Sequence, residues 1–275
     1  MKLSSFTASS FSGIRVFKPI QYLHIEGRAK RNLSEVKMRV RVVNSENGRI
    51  DEIVPLLGLD VLGEIASMNE GFFMHDTEQV REGSSQRITR STFKVNVMLH
   101  PTSAVYLSND KFIEIDIQGL DETAETIIYG IERPSIDKEF VCRYNKFYIS
   151  AGELQKTFSV GENENLILPD ASFEEVILQY KNGSSCCYTR AELGALMMLQ
   201  NDVVSVPSMA YAAHLIANEA NAEGSTGIVT AAFKNIYFGF ASMYGLDVSD
   251  VESVTIRRST AETAFEFVFV DTLKE

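Results

Sequence analysis

Residues 36–43 read VKMRVRVV and alternate strictly, with Met38, Val40 and Val42 on one side and Lys37, Arg39 and Arg41 on the other. That is the period-two pattern of a strand with one buried and one wetted face. Residues 92–99 repeat it with Phe93, Val95, Val97 and Leu99 inward. Residues 112–117 do so with Ile113, Ile115 and Ile117 inward against Glu114 and Asp116. Further strands are predicted over 126–131, 156–160, 174–180, 235–240, 252–257 and 264–270. In the first of these Ile127, Tyr129 and Ile131 are expected to face in, and in the last Phe265, Phe267 and Phe269. Helical signals are fewer. Pro55 at a first helical position predicts a helix over 55–66. Thr189 and Glu192 form a capping box before 189–199. An Ala-rich stretch predicts a third helix over 207–221. The pattern is all-β with a few inserted helices.

The chain also repeats itself. Thr123-Ala124-Glu125-Thr126 recurs as Thr260-Ala261-Glu262-Thr263, and Asn47-Gly48 recurs as Asn182-Gly183. The offsets, 260 against 123 and 182 against 47, are 137 and 135 residues. In each copy a strand runs into an Asn-Gly turn, the strongest short hairpin signal. A second strand, a helix, a long loop and a returning strand follow. A hairpin carrying T-A-E-T then delivers the last strand. Fixed self-similarity of this kind marks duplicated architecture. Two copies of one β-rich domain of jelly-roll size are expected, over 13–133 and 134–275, after an arm at 1–12 with Phe6 and Phe11 as anchors. The linker falls at Glu132-Arg133-Pro134-Ser135, because Pro134 cannot continue a central strand.

Composition narrows the function. The net charge is −11, from 26 basic and 37 acidic residues, a poor balance for wrapping nucleic acid. Residues 1–137 carry 16 basic and 19 acidic residues, and 138–275 carry 10 and 18. No apolar run approaches the ~18 residues of a membrane span, and the first residues carry no apolar signal core. Cys142, Cys186 and Cys187 include no C-x-x-C pair and are expected to act as small buried hydrophobes. His24, His75, His100 and His214 are scattered without metal-ligand spacing, so structural or surface roles are expected. No phosphate-binding glycine motif and no G-x-S-x-G occurs. No catalytic, cofactor-binding or metal-ligating residue is assigned. Asp121, Glu122 and Glu125, and Glu162 with Glu164, could offer oxygens to Ca²⁺, but without a D-x-D-x-D-G loop they read as solvated turns. Arg28, Lys30, Arg31, Lys37, Arg39 and Arg41 could face anionic lipid headgroups. Pairing with acidic neighbours on a wetted strand face is the simpler expectation.

The strand, loop, strand and N-G-R turn of 21–49, the closing strands 92–99 and 112–131, and the similar order over 173–198 and 251–270 resemble the double jelly-roll major capsid proteins of corticovirus-type, membrane-containing phages. The segment 200–233 departs from that pattern. The resemblance implies two tandem jelly rolls and a non-enzymatic, icosahedral shell subunit in the virion, assembled in the host cytoplasm. It implies a homotrimer forming a pseudo-hexagonal tile over an internal membrane. Its partners would be neighbouring capsomers, vertex and minor membrane proteins, and lipid headgroups, with no sequence-specific nucleic acid and no required cofactor. The competing classes are a minor or vertex shell protein and a tandem β-sandwich that binds or hydrolyses glycans. The chain has no Trp to stack a sugar, though it has 10 Tyr.

Overall fold

The computed structural model describes residues 1–274 except 32, 71–73, 83–85, 101–102, 136–139, 164, 170–172 and 194–242. The predicted helix 207–221 and strand 235–240 lie outside the described residues. The first half contains β1 (Lys2–Phe6), β2 (Ser10–Val16), β3 (Ile20–Ala29), β4 (Lys37–Asn44), β5 (Ile50–Gly58), α1 (Leu59–Glu70), β6 (Met74–Glu82), β7 (Gln86–Met98), β8 (Lys111–Gln118) and β9 (Thr126–Glu132). The second contains β10 (Phe140–Ile149), β11 (Gln155–Ser159), β12 (Asn165–Pro169), β13 (Phe173–Tyr180), β14 (Ser185–Thr189), β15 (Met243–Asp247), β16 (Val251–Arg258) and β17 (Phe265–Lys274). By compactness the chain divides into Met1–Lys146 with Val270–Glu275, and Phe147–Phe269.

Sheet order carries the repeat. In the first half one sheet runs β1-β9-β3-β7-β6 and the other β2-β8-β4-β5. In the second they run β10-β17-β12-β15 and β11-β16-β13-β14. Set aside β6, and the described residues supply eight strands in each half. Both halves then place strands 1-8-3-6 in one sheet and 2-7-4-5 in the other. Eight strands in two sheets linked in this order make a jelly roll, and it occurs twice.

Most inward faces follow the alternation. Met38, Val40, Phe93, Val95, Val97, Leu99, Ile113, Ile115 and Ile117 are buried. Residues 126–131 do not: Thr126, Ile128 and Gly130 face in, and Ile131 is exposed. Gly130 is what the inner face requires, since a Cβ there would lie 2.7 Å from Ile20 and 3.1 Å from Leu3. The helix also starts later than Pro55 predicts. Residues 50–58 pair with β4, and Pro55 lies where the register slips between Val40↔Val54 and Met38↔Leu57. An edge strand tolerates proline at such an irregularity. Helix α1 begins at Leu59, whose N–H donates to the Val36 carbonyl at 2.8 Å. The expected arm is not an arm: Ser4–Phe6 pair with β9 and Ser10–Val16 with β8, and Phe6 stacks on Phe11 at 4.7 Å. Unpaired sheet edges take up any strand within reach.

The T-A-E-T segments do not lie in hairpins. β8 and β9, like β16 and β17, belong to different sheets, so each T-A-E-T crosses between sheets. In the first half Asp121 Oδ1 accepts from the Thr123 N–H at 2.9 Å and the Thr123 hydroxyl at 2.7 Å. In the second the corresponding crossover holds Gly152 N–H on the Ala261 carbonyl at 2.8 Å.

The two ends of each sandwich differ. At one end of the first half the loops 7–9, 30–36 and 119–125 bond to one another, through Gly119 N–H to Ser9 O at 2.9 Å and Lys30 N–H to Gly119 O at 3.4 Å. This end also carries α1 and β6, in the connection between the fifth and sixth strands. At the opposite end the β2–β3 and β4–β5 connections are short turns, and the end is tied by Ser45 N–H to Asp110 O at 2.7 Å and by Lys18 to Glu132 at 3.1 Å. The second half repeats the tight end through Lys181 N–H to Asp250 O at 3.0 Å. Its fifth-to-sixth connection opens with a helix at 190–193. The capping box there is reciprocal: Glu192 accepts from the Thr189 N–H at 2.8 Å, and Thr189 Oγ1 accepts from the Glu192 N–H at 3.3 Å.

Candidate functional site

The Asn-Gly turns are the best-preserved local feature of the repeat. Asn47 Oδ1 accepts from the Arg49 N–H and Asn182 Oδ1 from the Ser184 N–H, each at 2.9 Å. Both glycines take the left-handed backbone, Gly48 at φ 69° and Gly183 at φ 85°. Glycine adopts that region without steric cost, so both turns close on the same terms. They fix the β4–β5 and β13–β14 hairpins, and with them one broad outer face in each half.

Those faces differ in chemistry. In the first half the rows run Arg15↔Glu114↔Arg41, and Asp116 lies opposite Arg39. Arg39 reaches Asp116 at 2.7 Å, and Arg41 reaches Asp116 at 3.0 Å and also pairs with Glu114. The six basic residues of 28–41 are therefore divided. Arg39 and Arg41 are neutralised on this sheet, Lys37 opens β4 on the same sheet, Arg28 belongs to β3 of the other sheet, and Lys30 and Arg31 stand in the loop after it. The ion-paired expectation holds for the two arginines. In the second half the corresponding face is built from short polar side chains. Thr157 lies opposite Thr255 with their hydroxyls 2.8 Å apart, and Ser159 opposite Ser253. One ion pair, Arg257 with Glu175, crosses it.

Burial would raise the Asp116 carboxyl. The Arg39 hydrogen bonds, the Gly13 N–H at 2.9 Å and the Arg41 charge outweigh it and hold the group below the usual carboxylate range. A carboxylate with a lowered native pKa gives stability that is full above its unfolded value, near 3.8, and is lost as pH falls through the native one. Urea midpoints measured from pH 6 to pH 2 are therefore expected to fall more steeply in the wild type than in Asp116→Asn. At neutral pH the substitution should cost about 1–2 kcal/mol, since the pairs are half-buried and charge-assisted.

The cysteine expectation fails at two positions. Cys186 and Cys187 are free and exposed, because β14 is an edge strand. Cys187 Sγ donates to Glu175 at 3.0 Å, and that carboxylate pushes the thiol up, away from the reactive thiolate. The side chain of Cys142 lies outside the described residues. His24 is half-buried, with Nδ1 2.7 Å from Asn96 and Nε2 3.2 Å from Glu26, and His100 is buried and accepts from the Ser103 N–H at 2.9 Å. The side chain of His75 and all of His214 lie outside the described residues. Asp121 is buried against its own turn, and Glu125 receives the Ser5 hydroxyl. Glu122 and Glu162 are exposed, and Glu164 lies outside the described residues. Among the described residues no group of three or more His, Cys, Asp or Glu is placed to hold a metal ion, and no helix is long and apolar enough to cross a membrane.

Arg258 is a residue that sequence patterning missed. It ends β16, is buried, and donates to the Ser150 and Glu153 carbonyls at 3.4 Å and to the Thr263 carbonyl. It ties two end loops of the second half together through backbone oxygens. Periodicity places it on a strand face but carries no signal of that role.

No family model and no curated protein matches the sequence. Among solved structures, the major capsid protein P2 from bacteriophage PM2 superposes over 99% of this chain and 97% of its own, with a TM-score of 0.50 and 11% identity. The chain has the double jelly-roll fold. That fold resides in strand order rather than in residue identity. The exported protein XepA from PBSX, at TM-score 0.23 and 8% identity, is too different in shape to carry an argument.

Proposed function

We propose that the chain is a structural subunit of a viral shell, with no catalytic role, acting by self-association. The observation that carries this reading is the doubled 1-8-3-6 and 2-7-4-5 strand order, in a chain that superposes along nearly its whole length on a phage major capsid protein. Three copies would form a pseudo-hexagonal tile of six jelly rolls over an internal membrane, meeting neighbouring tiles along their sides and vertex and minor membrane proteins at their margins. Two halves of the same topology and different outer faces suit such a tile: six near-equivalent positions are filled by two chemically distinct surfaces. The particle would be the protein's final location, after assembly in the host cytoplasm.

The reading is tested by association. A tile needs a side-to-side interface above the ~1,000 Å² of a specific contact, so a trimer that persists on dilution is expected in analytical ultracentrifugation. A monomer throughout the micromolar range would overturn the homotrimer. Copy number in purified particles separates a major from a minor shell protein: a large excess over a vertex protein marks the former, and parity with it the latter.

A further inference from the structure

The two Asn-Gly turns are both exposed, and their hydrogen bonds differ at one place. In each, the Asn Oδ1 accepts from the N–H two residues on, at 2.9 Å. This side-chain turn encloses the Asn Cγ and the Gly peptide nitrogen in one hydrogen-bonded ring. The Gly N–H is engaged in both, Gly48 on the Asn44 carbonyl at 3.0 Å and Gly183 on the Tyr180 carbonyl at 2.9 Å. The difference lies at the next residue. Ser184 Oγ also donates to Asn182 Oδ1, at 2.7 Å, so that oxygen holds two donors. Arg49 stands at the corresponding position in the first half and gives Asn47 Oδ1 its backbone N–H, while its guanidinium turns to Asp51 at 3.3 Å. Charge of both signs flanks each turn. Glu46 precedes Asn47, with Arg49 and Asp51 after it. Lys181 precedes Asn182, and its Nζ donates to the Ser249 carbonyl at 2.6 Å. Asp247 and Asp250 stand at the neighbouring β15–β16 turn, Asp247 accepting from Ser249 at 2.9 Å and 2.7 Å.

We propose that Asn182 is a site of self-modification, where the turn converts the side-chain amide to an imide and then to isoaspartate or aspartate, ahead of Asn47. The Gly183 nitrogen gives up its proton to solvent and attacks Asn182 Cγ, closing a five-membered imide. The Cγ–Nδ2 bond breaks, and the amino group leaves with one proton as ammonia. Water then opens the imide. Opening at Cγ restores the main chain as aspartate, and opening at the backbone carbonyl routes the chain through the side chain as isoaspartate. The sum is one water consumed and one ammonia released, with no change of oxidation state. Negative charge builds on Oδ1 as the nitrogen attacks, and the Ser184 N–H and hydroxyl already point at that oxygen. Donors preset at a developing oxyanion lower the barrier. Leaving the carbonyl that holds the Gly N–H is a cost the two turns share, so it slows both without deciding their order. The isoaspartate linkage lengthens the backbone between β13 and β14, and β14 is an edge strand held by β13 alone. The inference rests on the turn itself and stands apart from the shell reading.

The test holds the full chain in mildly alkaline buffer. Peptide mapping by mass spectrometry follows the amide-to-acid mass gain at each Asn, and isoaspartate is identified by its separate chromatographic peak. Asn182 is expected to convert roughly three- to tenfold faster than Asn47, the rate equivalent of one neutral hydrogen bond. Ser184→Ala should erase that lead without touching the flanking charges, and Ser184→Thr, which keeps the hydroxyl, should retain it. Arg49→Ser should speed conversion of Asn47. Positions 49 and 184 are exposed, so unchanged thermal unfolding confirms that the variants fold. In concentrated urea the lead should shrink, because the second donor is lost with the turn. Equal rates in the folded protein, or a lead that survives Ser184→Ala, would overturn the proposal. A lead undiminished in urea would overturn it too, and assign the order to the neighbouring sequence.

Discussion

Phe267→Ala is expected to unfold the second half or leave it too weak to assemble. Phe267 is 1% exposed and sits at the centre of an aromatic cluster. Phe158 meets it edge-on at 4.8 Å, Phe147 stacks at 5.9 Å, and Phe269 meets it edge-on at 5.7 Å. Truncating a buried Phe costs ~3–5 kcal/mol, because the cavity adds to the lost transfer energy. A domain's whole stability is of order 5–15 kcal/mol. Under the proposed shell function both jelly rolls would be needed for a closed tile, so the expected soluble trimer should be lost even where some folded monomer survives. Glu266 is exposed, and Glu266→Gln should stay within ~0.5 kcal/mol of the wild type. Urea unfolding followed by far-UV circular dichroism, with ultracentrifugation of the same proteins, reads both. A silent Phe267→Ala beside a disabling Glu266→Gln would mean that the strand presents its carboxylate to a site, and would move the interpretation from a shell to catalysis.

Where patterning assigns the faces of a strand correctly, the inward positions it uses are large apolar residues. Met38-Val40-Val42 and Ile113-Ile115-Ile117 are of this kind, and they were placed on the correct face. β9 defeats the same rule because its inner face is Thr126, Ile128 and Gly130. Two of those three read as polar or empty, while Ile127, Tyr129 and Ile131 on the outer side read as apolar. A shift of one residue exchanges the faces of a strand. The deciding information is the crowding by Leu3 and Ile20, residues more than a hundred positions away in sequence. The first strands were missed for a related reason. Residues 2–12 are rich in Ser and show no alternation; pairing to β8 and β9 holds them in place. Local chemistry transferred well, as the Asn-Gly turns and the Thr189–Glu192 cap show, because each is closed by residues within four positions of one another. Sheet order was accessible only through the repeat. T-A-E-T marked the correct connection in both halves, but a four-residue motif does not state whether the next strand pairs beside the last one or crosses to the other sheet.

Gly119→Ala is expected to destabilise the first half more than any other glycine substitution among those with a left-handed backbone. Gly119 has φ +87°, and a Cβ built there would stand 2.2 Å from the Glu35 carbonyl oxygen and 2.9 Å from its carbon. Both obstacles are backbone, so no side-chain rotation relieves them. The residue is also fixed from its own sides, since its N–H donates to Ser9 O at 2.9 Å and its carbonyl accepts from Lys30 N–H at 3.4 Å. Moving it away breaks the junction that closes three loops at the elaborated end. The short helix Leu33–Glu35 would have to shift, and with it the Val36 carbonyl that holds the start of α1. Strain at a left-handed position alone costs of order 1–3 kcal/mol, and displaced backbone packing adds to it, giving about 3–5 kcal/mol in all. Gly183→Ala provides the control. Its φ is +85°, nearly the same, but nothing lies within 4 Å of the added methyl, so only the conformational cost of ~1 kcal/mol remains. Thermal unfolding of the two variants should therefore separate the contribution of crowding from that of backbone conformation. Equal losses at the two glycines would mean that the loop junction yields without resistance, and that this end of the first jelly roll is not held by the contacts between its loops.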